Sequence, residues 1–70
     1  MTPIEPGVRV VARSADDKLL ERRAVSGVTA GLDFEVVWVC PEDEWKLAIA
    51  EGREPTGVPW PAEAVEPVRD

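Results

Sequence analysis

The stretch "FEVVWVC", residues 34 to 40, decides the fold class of this 70-residue chain. It consists largely of β-branched and aromatic residues, which favour strands, and "AGLD" before it supplies a turn. Alternate residues of a strand share a face, which predicts two sets: Phe34, Val36, Trp38 and Cys40 on one side, and Glu35, Val37 and Val39 on the other. Because both sets contain apolar residues, we predict a central strand that is buried, or nearly so, on both faces.

Two further strands are predicted on the N-terminal side. After an extended lead-in at residues 1 to 6, "GVRVVAR" (7 to 13) alternates apolar residues with arginines in the period of a half-buried strand. "SADDK" (14 to 18) is rich in turn formers. "LLERRAVSGVT" (19 to 29) contains helix formers, but its valines, Thr29 and a glycine favour a strand. We therefore expect a hairpin ahead of the central strand.

One helix is predicted on the C-terminal side, from about 41 to 51. Pro41 suits a helix start, and the acidic residues of "PEDE" (41 to 44) lie where the helix dipole favours negative charge. Trp45, Ala48 and Ile49 recur at helical spacing, and a glycine at 52 can end the helix in a left-handed conformation.

The chain closes with "PTGVPWPAEAVEPV", residues 55 to 68, after a predicted loop over 53 to 59. The prolines on either side of Trp60 restrict the backbone, so this ring is expected to be held rigidly, like a plug. "PAEAVEPV" predicts one tight helical turn and a short edge strand in which Val65 and Val68 point inward. If this last strand lay beside the first, it would close a barrel.

These patterns resemble the SH3-like small barrels, the broad group that includes SH3, Tudor and KOW-type domains. "PGVRVVARS" is similar to their opening strand, "AVSGVTAG" to a strand with a G-x-V step, "FEVVWV" to the central strand and "WPAEAVEPV" to the closing turn and strand. The resemblance implies a mainly β fold: an SH3-like barrel of four to five strands over 7–68, with the helix inserted before the last strand. No binding site of the group carries over. SH3 sites for proline-rich peptides use tyrosines, which the chain lacks. KOW-type domains have a basic face, for which only four arginines are available here, and methyl-lysine readers need an aromatic cage, for which only Phe34 and the three tryptophans are available.

Length and composition bound the possible functions. A chain of 70 residues forms one domain. One cysteine and no histidine exclude an internal disulfide and a Cys/His zinc site within the chain. We predict no catalytic, metal-binding or cofactor-binding residues, and therefore no enzyme. The longest apolar run, from Val36 to Cys40, is too short to span a membrane. A soluble, cytoplasmic protein is expected, and the arginine-rich composition suggests a GC-rich, bacterial source.

Charge is distributed unevenly along the chain. The net charge is −6, and most of the excess acid lies in the second half. Acidity disfavours general binding to nucleic acid, whose affinity depends on Lys and Arg. Arg9, Arg13, Arg22 and Arg23 could nevertheless form a local basic face on adjacent strands, where alternation would place Arg9, Arg13 and one of the adjacent pair on the same side. A solvated surface explains these residues more simply.

The tryptophans and the cysteine have both structural and functional interpretations. Trp38, Trp45 and Trp60 are expected mainly in the core, and Trp60 is the one expected to be partly exposed. Cys40 is expected to behave as a small buried hydrophobe.

We thus expect a non-catalytic protein-interaction module whose surface joins Trp60, the loop at 53–59 and the helix bearing Trp45. The first alternative is an acidic decoy, centred on "PEDE", that displaces nucleic acid from a binding protein. The second is a weak nucleic-acid binder that uses the arginine face. A homodimer through an exposed strand edge also stays open.

Overall fold

The computed structural model describes residues 4–68; residues 1–3 of the predicted lead-in and residues 69–70 lie outside that range. The fold is mainly β with a single helix, as predicted, and it has six strands rather than four or five. The elements in chain order are β1 (Arg9–Arg13), β2 (Leu19–Ala24), β3 (Thr29–Ala30), β4 (Glu35–Cys40), α1 (Glu42–Glu51), β5 (Val58–Pro61), a 3₁₀ turn (Ala62–Ala64) and β6 (Val65–Pro67).

The strands form one curled antiparallel sheet. β1 pairs with β2 on one side and with β6 on the other, while β4 pairs with β2, β3 and β5. The last strand therefore lies beside the first, as the sequence predicted. Within residues 4–68 no pairing joins β5 to β6, so the sheet is a half-barrel.

A bulge divides the strand that was predicted over 19–29. The backbone N–H groups of Val25 and Ser26 both point to the carbonyl oxygen of Trp38, at 2.6 and 3.4 Å. The Ser26 hydroxyl in turn accepts a hydrogen bond from the Trp38 N–H at 3.2 Å. Two residues thus oppose one, which interrupts the pairing and increases the local twist of the strand. The predicted strand consequently becomes β2 and β3.

Small aliphatic residues form the core inside the curl. The buried cluster comprises Val10, Ala12, Ala24, Val37, Val39 and Val65, and Trp60 packs against it. The alternation predicted for β1 is confirmed, because Val10 and Ala12 are buried while Arg9 and Arg13 are exposed. Val65 points inward as predicted, and Val68 is half-buried.

The prediction that Trp38 lies in the core is wrong, because 40% of its surface is exposed. Residues 34, 36, 38 and 40 do share one face of β4, but this is the outer face of the curl. A single curled sheet encloses only its inner face. Val36 and Cys40 are still buried, at 8% and 1% exposure.

The helix begins one residue after Pro41, which precedes it in an extended conformation. It ends at Gly52, which has a φ of 68°, and the N–H of Arg53 donates to the Ala48 carbonyl at 3.0 Å. Ala48 is fully buried, whereas Ile49, predicted on the same apolar face, is 62% exposed. The helix therefore contacts the sheet along a narrow stripe only.

The predicted loop over 53–59 is two residues too long, because β5 begins at Val58. Prolines at 59 and 61 disfavour a strand in general, since proline cannot donate a backbone hydrogen bond. β5 has a partner on one side only, β4, and pairing through Val58 and Trp60 leaves both proline nitrogens at the unpaired edge. The strand tolerates its prolines for this reason.

A candidate protein-binding groove

An apolar groove lies on the outer face of the sheet where β4 meets β5. Its volume is about 440 Å³, within the range of ligand and peptide pockets. Eight of its nine lining residues are uncharged, and the charged one is Asp33. The lining residues are Ala30, Gly31, Leu32, Asp33, Phe34, Val36, Trp38, Pro59 and Pro61. We call this surface the aromatic groove.

The register of β4 and β5 assembles the wall of the aromatic groove. Trp38 is paired with Pro59, and Val36 with Pro61, so these four side chains share the outer face. The intervening pair, Val37 and Trp60, points to the opposite face, where Val37 is fully buried. The β4–β5 pair thus places Trp38 on the outer face and Trp60 on the inner face.

A tight loop before β4 presents the other end of the groove. The N–H of Gly31 donates to the Phe34 carbonyl at 2.9 Å. A Cβ at position 31 would lie 2.5 Å from that carbonyl oxygen, so only glycine fits this closure. The loop leaves Leu32 fully exposed and Phe34 58% exposed.

Trp60 lies on the inner face of the sheet and does not line the groove. It packs against the core cluster, and its indole Nε1–H donates to the Arg13 carbonyl at 2.9 Å. The contact joins β5 to the last residue of β1. Trp60 is half-buried and so partly exposed, as expected, but Trp38 is more exposed, at 40%.

Trp45 seats the helix on the chain that leads into β1. Gly7 has a φ of +93°, which disfavours a side chain, and a Cβ there would lie 3.3 Å from the Trp45 ring. Trp45 is half-buried in this contact. Neither Trp45 nor Trp60 lines the aromatic groove, so the structure does not bring the predicted binding residues together with it.

The four arginines predicted to form a basic face do not all share one side. Arg9 is opposite Arg23 in the β1–β2 register, whereas Arg22 is opposite the buried Val10 and so projects from the other face. The prediction that Arg9, Arg13 and one of the adjacent pair share a face is thus confirmed, with Arg23 as the third member.

Two of the three arginines on that face form ion pairs. Arg23 binds Glu42 of the helix through two contacts, Nε to Oε2 at 2.5 Å and Nη2 to Oε1 at 2.9 Å, and donates to the Gly7 carbonyl at 2.7 Å. The hydrogen bonds between them raise the pKa of Arg23 and lower the pKa of Glu42. Arg13 pairs with Asp17 at 3.1 Å.

The acidic start of the helix is similarly engaged. The Glu44 carboxylate accepts hydrogen bonds from Arg53 Nη1 at 2.6 Å and from the Thr56 N–H at 2.8 Å. These bonds, Arg53 first, lower the pKa of Glu44 to about 2. Glu44 thereby fixes the loop after the helix, which leads into β5 and the groove.

Glu44 predicts a dependence of stability on pH. The carboxylate has a pKa near 4.5 when unperturbed and about 2 in the folded chain, so its contribution is complete above pH 4.5 and is lost towards pH 2. Glu44→Gln should therefore lower the urea midpoint at pH 7, and the gap to wild type should narrow as the pH falls to 2.5. Glu63→Gln, at an exposed site outside this network, is the matched control. A gap that stays constant with pH would contradict the assignment.

Cys40 is 1% exposed, and burial is the main cause that raises the pKa of its thiol. The thiol is therefore a poor nucleophile, in keeping with the buried position expected of it. Within residues 4–68, no three of the Cys, Asp and Glu side chains are grouped so that they could hold a metal ion. The same range contains no helix that is long and apolar enough to cross a membrane.

Comparison with protein family models, curated proteins and solved structures finds no match to this chain.

The sequence did not lead us to expect a binding surface made of Leu32, Phe34, Trp38, Pro59 and Pro61. Alternation predicts the face that Phe34 and Trp38 share, but large rings usually fill small cores, which favoured the core for that face. One signal could have identified them. Pro59 and Pro61 are two residues apart, as are Val36 and Trp38 in β4. If the two segments pair, alternation places the two prolines on one face of the sheet and Trp60 on the other.

Proposed function

We propose that this chain is a non-catalytic protein-interaction module, and that it binds its partner through the aromatic groove. The observation that carries this proposal is the exposure of large apolar side chains on one face: Leu32 at 104%, Phe34 at 58% and Trp38 at 40%. Single exposed apolar residues are common, but a contiguous set beside two prolines is typical of an interaction site. Aromatic residues are also enriched among those that dominate binding energy.

The groove replaces the interaction surface expected from the sequence. That surface joined Trp60, the loop at 53–59 and the helix, but Trp60 packs against the core and Glu44 holds the loop to the helix. The groove shares with it only Pro59, at the end of that loop.

The order in which the strands pair supports a relationship to the SH3-like barrels. β1 pairs with the last strand, β2 crosses from β1 to β4, and a 3₁₀ turn separates the two closing strands. We propose that the half-barrel is an SH3-like variant in which α1 replaces the connection between β4 and β5. A cytoplasmic protein without enzymatic activity is part of the same proposal.

The two electrostatic alternatives have less support. A nucleic-acid binder would need its arginines available, yet Glu42 and Asp17 occupy two of them. A nucleic-acid mimic would need a free row of carboxylates, yet Arg23 and Arg53 bind Glu42 and Glu44. Part of each set of charges is therefore used within the fold.

The proposal predicts that a partner is lost with the exposed ring of Trp38. Tagged wild type and Trp38→Ser are incubated with lysate of the source organism, with and without nuclease, and retained proteins are quantified by mass spectrometry. A protein retained by wild type should fall at least about tenfold with Trp38→Ser, as expected for an interfacial aromatic hot spot. Leu47→Ser, which changes a 50% exposed residue of the helix, should retain it.

Two results would contradict the proposal. Equal retention by wild type and Trp38→Ser would place the interface on another surface. Retention that disappears after nuclease treatment would favour the arginine face instead.

A further inference from the structure

The charge pattern of the two segments that form the aromatic groove identifies the chemistry of its occupant. Residues 24–45 contain five acids and residues 54–68 contain three, and neither segment contains a lysine or an arginine. Both walls of the groove come from these segments. These segments thus bring no cation of their own to the groove, and Asp33 is its one charged lining residue, while Glu42 and Glu44 are paired with Arg23 and Arg53.

The cations of the chain lie mainly on a different part of the sheet. Five of the eight Lys and Arg residues belong to the β1–β2 hairpin, namely Arg9, Arg13, Lys18, Arg22 and Arg23. The groove is built on β3, β4, β5 and the loop between β3 and β4. Residues 9–23 also contain three acids, so the hairpin has a net charge of +2, whereas residues 24–45 and 54–68 have net charges of −5 and −3. This asymmetry steers a cationic partner towards the groove and away from the hairpin.

The strand edges restrict how a partner can bind. Pro59 and Pro61 leave the free edge of β5 without two backbone donors. At a second edge, Pro67 of β6 lacks a donor in the same way. The third edge, β3, is only two residues long. Addition of a partner strand to these edges is disfavoured, so contact must come through side chains on the outer face. The same prolines also disfavour a homodimer formed by pairing of strand edges, an alternative that the sequence had left open.

We infer that the aromatic groove binds a segment of a partner protein in which apolar side chains are flanked by lysine or arginine. The inference rests on the proposed interaction function and names its partner class. The apolar side chains contact Trp38, Phe34 and Pro59, while the cations lie over Asp33 and the ring faces. Lysine and arginine are attracted both to carboxylates and to the electron-rich faces of aromatic rings.

A random peptide library displayed on phage tests the inference, because it samples many combinations of apolar and charged residues at once. Selection is run on the immobilised wild-type chain, and peptides that also bind Trp38→Ser are discarded. The remaining peptides should combine apolar residues with a net positive charge. A synthetic copy of the most enriched peptide is then measured by fluorescence anisotropy.

The affinity of that peptide should respond to charge in three ways. Asp33→Asn should weaken binding roughly two- to fivefold, the range for one exposed ion pair. Asp43→Asn, which removes the same charge from an exposed site on the helix, should change it less. Raising the salt from 50 to 300 mM should weaken binding about threefold or more, because the Debye length shortens.

The outcomes separate this inference from the function on which it rests. Groove-dependent peptides that are neutral or acidic would overturn the cationic partner and leave the interaction function standing. The absence of any peptide that depends on Trp38 would overturn both. A wild-type dimer in analytical ultracentrifugation that Trp38→Ser converts to monomer would overturn the inference in favour of a second copy of this chain as occupant.

Discussion

Trp60→Ala is expected to lower the free energy of unfolding by about 3 kcal/mol, the lower end of the range for removing a packed aromatic ring. The ring packs against the core cluster and its Nε1–H donates to the Arg13 carbonyl, so the variant loses apolar burial and leaves an acceptor without its donor. A chain of 70 residues has a total stability of roughly 4–10 kcal/mol, so this loss is a large fraction of it. Urea unfolding followed by circular dichroism measures the change.

Two variants test the structural role of Trp60 further. Trp60→Phe keeps most of the ring but not the N–H, and should cost about 1 kcal/mol beyond any change in packing. Trp38→Ala removes a ring of the same type from the outer face and should cost less than Trp60→Ala, because 40% of Trp38 is already exposed. If Trp38→Ala were the more destabilising variant, the assignment of one ring to structure and the other to the surface would be wrong.

Val37→Asp is expected to abolish cooperative folding at pH 7. Val37 is fully buried at the centre of β4, opposite Trp60, and belongs to the core cluster. A carboxylate at this site has no charged partner in the core, where all buried side chains within residues 4–68 are apolar. The cost of more than about 4 kcal/mol approaches the whole stability of such a small domain.

The matched control for this substitution is Val58→Asp on the neighbouring strand. Val58 is paired with Val39 but is 54% exposed, so a carboxylate there remains hydrated. Wild type and Val58→Asp should both show a sigmoidal thermal transition by circular dichroism, while Val37→Asp should show none. A cooperative transition for Val37→Asp would mean that the inner face of β4 is accessible to water.

The elements that could be predicted are those with local signals. The alternation around Val10 and Ala12 identified β1, and the β-branched run identified β4. The acidic start and the glycine at 52 marked both ends of the helix to within one residue. Each of these signals depends on the few residues nearest to it in the chain, which is why they needed no tertiary information.

The elements that were missed depend on distant residues. The bulge that divides β2 from β3 forms because Val25 and Ser26 share the carbonyl of Trp38, twelve or more positions away. No strand was predicted at β5, whose first two residues fell in the predicted loop. Its prolines disfavour a strand, and only its pairing with β4 on one side resolves that conflict. Neither feature has a local signature.

The candidate site shows the same division. Sequence alternation placed Phe34 and Trp38 on one face of β4, but the direction of curl decides whether that face is inside or outside. The residues present determined the acidity of the chain and its lack of histidine and of paired cysteines. Their order, together with the two-residue period of a strand, determined which residues share a strand face. The tertiary structure alone decided that Trp60 is structural and Trp38 is on the surface, because the curled sheet encloses its inner face and leaves to solvent the part of its outer face that carries Trp38.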